Sequence, residues 1–225
     1  MRPSPLLSLL VTLAAFTASA QDSDVSLAGG SRISVQGGWR YVRNATFYDN
    51  FYSQPGNEGL ERAPQSHGGP LVVGSFAYSV TELIEVGIDL FALGERPQLT
   101  NQPQLTTWAY GALLGLRFQR WLDLGPEGTV PFVGLLTGPV LATATFQGQP
   151  PRETLSQAWA GSVGATLRLN PQWGLNLEFR QVFARGAVGR TDQRFGSFNA
   201  GGSWLTVGAT YTFPPDPGPA LRSPF

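Results

Sequence analysis

The chain has 225 residues, 42% of them hydrophobic and only 13% charged, against about 25% charged in an ordinary soluble domain. All 15 basic residues are Arg and they balance 15 acidic ones, so no basic stripe for nucleic acid exists. With no Cys and a single His, disulfide frameworks, thiol nucleophiles, thiolate zinc sites and multi-His metal sites are excluded. Neither a metal nor a cofactor is expected.

The first element in chain order is an export signal over residues 1–20. Arg2 opens it, an apolar stretch from Leu6 to Phe16 follows, and Ala18-Ser19-Ala20 stands before Gln21 as an A-x-A cleavage pattern. The apolar stretch is shorter than the roughly 20 residues a spanning helix needs. Removing Arg2 leaves 14 basic against 15 acidic side chains. Residues 21–30 are then a periplasmic N-terminal segment.

From Ser31 onward the dominant signal is alternation with period two, which predicts strands with two chemically different faces. The first strand, Ser31 to Tyr41, sets Ile33, Val35, Trp39 and Tyr41 against Ser34, Gln36, Gly38 and Arg40. The second, Leu71 to Val80, sets Val72, Phe76, Tyr78 and Val80 against Ser75, Ala77 and Ser79; the third, Leu83 to Leu93, sets Ile84, Val86, Ile88 and Leu90 against Glu85, Gly87 and Asp89. The fourth, Thr106 to Gln119, carries Trp108, Tyr110, Ala112, Leu114, Leu116 and Phe118 opposite Thr107, Gly111, Gly115, Arg117 and Gln119.

No charge occurs between Glu127 and Arg152. Pro131, Gly134, Gly138, Pro139 and the four Thr from Thr129 to Thr145 argue against a helix there, so Val130 to Phe146 is the fifth strand. Both of its parities are apolar, which leaves its facing open, and Pro139 implies a bulge or a locally unpaired stretch. The sixth strand, Ser156 to Leu169, sets Trp159, Val163, Ala165, Leu167 and Leu169 against Ser162, Gly164, Thr166 and Arg168. The seventh, Gly174 to Phe183, sets Leu175, Leu177, Phe179 and Phe183 against Asn176, Glu178 and Arg180, with Gln181 as a blemish on the apolar face. The eighth, Gly202 to Phe213, sets Leu205, Val207, Ala209, Tyr211 and Phe213 against Thr206, Gly208, Thr210 and Thr212.

Long connections at 44–69, 94–105, 147–155 and 184–201 alternate with tight turns around Thr81-Glu82 and Asn170-Pro171-Gln172; only the fourth, 120–128, is longer than the pattern wants. Long loops therefore collect at one end. A soluble barrel would carry charge on its outward face, yet here the polar face is mostly Gly, Ser, Thr and Ala. Its main charges, Arg40, Glu85, Asp89, Arg117, Arg168, Glu178 and Arg180, can neutralise one another in a narrow lumen, while the bulky uncharged face suits lipid. Trp39, Tyr41, Trp108, Tyr110, Trp159 and Phe183 fall near the long-loop end, and Tyr78, Phe118, Tyr211 and Phe213 near the short-turn end, as in a double aromatic girdle. Backbone groups cannot stay unpaired in hydrocarbon, so the sheet must close. The expected class is all-β: a closed antiparallel eight-stranded transmembrane β-barrel over 31–213.

On these features the chain resembles the small eight-stranded outer-membrane barrels of Gram-negative bacteria, the OmpA- and OmpX-like group. The most specific likeness lies in Thr206-Val207-Gly208-Ala209-Thr210-Tyr211-Thr212-Phe213, which is similar to that group's assembly signal. The resemblance implies that Thr206, Gly208, Tyr211 and Phe213 form the signal, with Tyr211 and Phe213 engaging the barrel-assembly machinery. The group usually ends at that Phe, whereas here a Pro-rich tail over 214–225 continues as an extended periplasmic segment.

An eight-stranded barrel is just wide enough to be filled by its own side chains, so the inward ions should form a plug, with room among the small residues for water or a thin ligand. His67 in Gln65-Ser66-His67-Gly68-Gly69, near Glu58 and Glu61, is the one enzymatic candidate. A Gly-rich loop places no base rigidly and the G-x-S-x-G elbow is missing, so no catalytic residue is assigned. Phe47, Tyr48, Phe51 and Tyr52 in the first long loop either grip a surface partner or fold back on the rim. Gly186-Ala187-Val188-Gly189 and Gly201-Gly202 are expected as turns. The functional expectation is an outer-membrane barrel, in contact with outer-membrane lipid, for envelope structure, adhesion or limited small-solute passage. The rivals are a lipid-modifying barrel enzyme and a soluble exported ligand-binding barrel.

Overall fold

The structure is a computed structural model describing residues 27–189 and 194–213. The expected export signal and the Pro-rich tail lie outside the described residues, as do residues 21–26 of the N-terminal segment. Ten strands and one helix follow in order: β1 Ser31–Tyr41, α1 Ala45–Tyr52, β2 Gly68–Ser79, β3 Ile84–Glu95, β4 Leu105–Gln119, β5 Thr129–Phe146, β6 Arg152–Arg168, β7 Trp173–Phe183, β8 Arg185–Gly189, β9 Arg194–Asn199 and β10 Gly202–Phe213. Eight of them close into an antiparallel barrel in the order β1-β10-β7-β6-β5-β4-β3-β2, and β8 and β9 form a separate two-stranded ribbon. Closure is made by β1 against β10, from Ser31 opposite Phe213 to Tyr41 opposite Ser203. No strand of the barrel is left with a free edge.

Strand facing follows the alternation. Val35, Leu114, Val207 and Phe183 are 60–65% exposed, whereas Gln36, Glu85, Asp89, Glu178 and Arg180 are buried at 1–2%. The barrel is thus greasy outside and ionic inside, the reverse of a soluble one. No helix among the described residues is long and apolar enough to cross a membrane, which leaves the strands as the elements suited to crossing.

β5 settles its facing against β4 and β6. Val133 and Leu135 point outward, and Phe132, Leu136, Val140, Ala142 and Phe146 point into the lumen, so both faces are apolar because both meet apolar surroundings. Its ladder with β4 is interrupted between Gly111–Val140 and Leu114–Thr137, where Gly138 and Pro139 stand. Register is unchanged across the gap, so the stretch is locally unpaired and not bulged. The missing N–H of Pro139 is the physical reason.

Two connections differ from expectation. The fifth is short, because β5 and β6 pair as far as Ala144–Arg152 and leave only 147–151 to turn. The pair continues seven β6 residues above Trp159, about 23 Å of hairpin beyond the level where β7 ends. Gly186 and its neighbours are not a turn but part of β8, which pairs with β9. Gly202, at φ 108, does make a turn into β10 in a conformation that suits glycine.

Candidate functional site

The interior divides into two storeys, set by which inward residues each strand supplies. In the lower storey, β3 contributes Glu85 and Asp89, β4 Arg117, β7 Glu178 and Arg180, and β1 Arg32 and Gln36. Asp89 Oδ2 accepts from Arg117 Nη2 at 2.9 Å and from Arg180 Nη2 at 2.7 Å. Glu178 Oε1 accepts from Arg180 at 2.8 Å and 3.1 Å, and its other oxygen lies 3.8 Å from Arg117. Glu85 Oε1 accepts from Arg32 at 2.7 Å and from Arg117 at 3.4 Å. Gln36 ties in by donating to Glu178 at 3.4 Å and accepting from Thr206 at 2.6 Å. The three cations and three anions are mutually neutral, which is what lets so many charges stand buried together.

The geometry of this network decides what the lumen can do. β7 and β3 are four places apart in a ring of eight strands, so they face each other across the full diameter. The Arg180–Asp89 bond therefore spans the lumen from wall to wall. Arg32 reaches from β1 both to Glu85 on β3 and to Thr166 on β6, the latter at 3.0 Å. Guanidinium planes also lie over rings: Arg117 over Phe132 at 5.2 Å and Arg180 over Trp204 at 5.7 Å.

Of the seven ions assigned to the lumen from sequence, five meet in this network and two do not. Arg40 stands higher in the barrel, fully buried, paired with Glu95 and donating to the carbonyls of Asn199 at 3.1 Å and Gly201 at 3.4 Å. Arg168 sits at the lower mouth, bonded to the Pro171 carbonyl at 3.0 Å with its guanidinium 5.2 Å over the Trp121 ring. Arg32 and Glu95 were missed from sequence although both share the inward parity of their strands; the signal was present at the strand ends. Below the network, Arg32, Glu85, Gln119 and Arg168 line a cavity of about 180 Å³ with the turn at residues 27–30.

The upper storey is mostly apolar around the Arg40–Glu95 pair. Leu71, Val73, Phe91, Leu93, Leu105, Leu113, Val140, Val182 and Trp204 all point inward and are buried, and the Phe91 ring packs at a tilt against Trp204, centroids 4.9 Å apart. The expected ionic plug therefore occupies the lower storey, and apolar side chains fill much of the upper one. Apart from the Arg40–Glu95 pair and Thr107, the upper inward positions are mostly apolar.

α1 closes that storey from above. Phe47, Tyr48, Phe51 and Tyr52 have the i, i+1, i+4, i+5 spacing of one helix face, and all four are buried in the same cluster as Trp204 and Phe91. Of the two sequence readings, the aromatics fold back and do not stand free for a partner. The cap is fastened by Tyr52 Oη accepting from Ala63 N at 2.8 Å, Tyr48 Oη from Ser66 N at 3.2 Å, and Asn44 Oδ1 from Asn199 N at 3.0 Å. Burial pushes the Tyr48 phenol above its ordinary value of 10.0, with the Glu95 carboxylate acting in the same direction.

The aromatics assigned to a girdle, Trp39, Tyr41, Trp108, Tyr110, Trp159 and Phe183 at the upper end and Tyr78, Phe118 and Phe213 at the lower, are exposed on the outer wall. Tyr211 is half-buried, packed between Trp173 at 5.0 Å and Phe213 at 4.5 Å. Trp173, also exposed, belongs with the lower set and was not assigned to it from sequence. Thr206 points into the lumen and Gly208 lies against the Val35 carbonyl of β1. His67 is exposed, its ring bonded to nothing among the described residues, and no metal-binding group of acids or histidines occurs among them.

No protein-family model and no curated protein matches the chain. Solved structures do. The outer membrane protein OprG from Pseudomonas aeruginosa matches over 85% of this chain and 99% of its own, with a TM-score of 0.58 and 12% identity. Neisserial surface protein A matches over 81% of this chain and 98% of its own, with a TM-score of 0.52 and 12% identity. At such identities the likeness concerns the path of the backbone, and it agrees with the closed eight-strand order and the inverted polarity of the wall. The chain therefore has the fold of the small eight-stranded outer-membrane barrels.

Proposed function

We propose that this protein is exported and spans the outer membrane as a closed, non-conducting barrel that serves envelope structure and presents its long-loop end at the surface. The observation that carries this reading is the filled lumen: a wall-to-wall Arg180–Asp89 bond below, and an apolar storey sealed by α1 above. Open passage would require both to be removed. The exposed aromatic residues at each end act as interfacial girdles, and Tyr211 and Phe213 serve recognition by the barrel-assembly machinery during insertion. Catalysis is disfavoured by an exposed, unanchored His67.

The test has two arms. Purified protein folded into lipid should migrate differently before and after boiling, as a closed barrel does, and in planar bilayers it should give no large single-channel steps. Reproducible large steps from the wild-type chain would overturn the closed reading and favour solute passage.

A further inference from the structure

The outer wall is not uniformly greasy. One row of lipid-side positions crosses four strands as Tyr41, Ser203, Gln181 and Gly161, each opposite the next in register. Ser203 Oγ donates to Gln181 Oε1 at 2.6 Å, which leaves the Gln181 amide nitrogen with no acceptor among the described residues. At the level of the Tyr41 girdle, that amide donor is open to a polar partner at the membrane interface. At Gly161 an added Cβ would meet nothing within 4 Å, so the wall is notched beside Gln181.

The rows on either side differ sharply in chemistry. One step down run Trp39, Leu205, Phe179 and Val163, opposite one another in register and all exposed. Above, Arg43 continues the outward parity of Tyr41 and Arg185 that of Phe183. Both are exposed and neither makes an ion pair among the described residues. They flank the short top of β10 two strand spacings apart; counted along the strands from the polar row, Arg43 stands about 7 Å and Arg185 about 13 Å above it, which sets the two about 12 Å from each other.

We infer that the β1–β10–β7–β6 face is a binding site for a phosphorylated glycolipid of the outer leaflet, of the lipid A type. Arg43 and Arg185 take the phosphates at the two ends of its disaccharide. Gln181, Ser203 and Tyr41 hydrogen-bond the sugar and the acyl linkages, and the notch at Gly161 admits the head. The acyl chains lie on Trp39, Leu205, Phe179 and Val163. Charge complementarity selects this occupant: two unpaired guanidiniums on the loop side of the polar row need phosphate, and a polar row directly above an apolar one needs an amphiphile. The inference rests on the outer-membrane reading above.

The experiment folds the full chain into phosphatidylcholine vesicles doped with bisphosphorylated lipid A, with dephosphorylated lipid A or with phosphatidylglycerol, and counts lipid retained per barrel by native mass spectrometry after detergent transfer. Wild type should keep one bisphosphorylated lipid A. The Arg43→Gln/Arg185→Gln pair should lower retention at least about tenfold, and Gln181→Leu should lower it several-fold. Arg96→Gln, exposed beside the opposite wall, should leave it unchanged. Equal retention by the double variant, equal loss in Arg96→Gln, or equal retention of phosphatidylglycerol would each overturn the site. The boiled-against-unboiled gel shift is read on the same samples: its absence defeats the barrel reading itself, while its presence with indifferent retention defeats only the glycolipid site.

Discussion

Replacing Asp89 by Asn is the most informative single perturbation of the lumen. The side chain keeps its volume but loses its charge, and three charge-assisted contacts depend on it: Arg117 Nη2 at 2.9 Å and 3.3 Å, and Arg180 Nη2 at 2.7 Å. Arg180 keeps Glu178 at 2.8 Å, but Arg117 is left with Glu85 at 3.4 Å and Glu178 at 3.8 Å. One positive charge is then uncompensated at a site where both guanidiniums are at most 5% exposed. Removing one partner of a buried ion pair costs about 3–5 kcal/mol, and the lost hydrogen bonds to charged groups, at about 1.5–3 kcal/mol each, lead to the same range once Glu178 relaxes. Reversible urea unfolding from lipid vesicles, followed by tryptophan fluorescence, should show the midpoint falling by that amount with an unchanged slope. Adding Arg180→Gln restores neutrality, so the double variant should be less destabilised than the two single losses together. A loss below about 1 kcal/mol, or plain additivity, would mean that water screens these charges and that the lumen is open.

Leu114→Arg or Val207→Arg, each placing a charge on the outward face, should cost about 2–4 kcal/mol near the midplane and reduce insertion measured by the heat-shifted band; normal insertion would contradict the outward facing. Phe51→Ala empties a fully buried site in the cap, with a loss of about 3–5 kcal/mol, and should make residues 53–67 protease-sensitive while the barrel wall stays resistant. Because the Tyr48 phenol is raised in the folded state, its stabilisation of the cap is complete below its ordinary value of 10.0 and is lost as pH rises through the raised one. Protease resistance of the cap should therefore fall as pH rises above 10.0 in wild type and less so in Tyr48→Phe; identical profiles would refute this.

The strand plan was legible in the residues themselves because facing is a local property. Each inward residue has an outward neighbour, so Arg117 beside Leu116 and Phe118, or Glu178 beside Leu177 and Phe179, declares its side without reference to the rest of the fold. Closure was legible too, since a sheet greasy on its outer face cannot keep an edge in hydrocarbon. β5 shows the limit: with Val133 and Leu135 on one parity and Phe132 and Leu136 on the other, local contrast vanishes, and only its neighbours β4 and β6 assign the faces.

What crosses the lumen was decided by tertiary structure alone. Arg180 and Asp89 are 91 residues apart, and nothing near either one announces the other; their bond exists because closing eight strands sets β7 opposite β3. The same is true of α1, whose aromatic face is visible as a spacing, while its burial over Trp204 and Phe91 depends on a barrel mouth that no stretch of chain contains by itself. Alternation is short-ranged and can be read residue by residue. The pairing of charges and the stoppering of the upper storey arise from the barrel's circumference, which exists only once all eight strands have met.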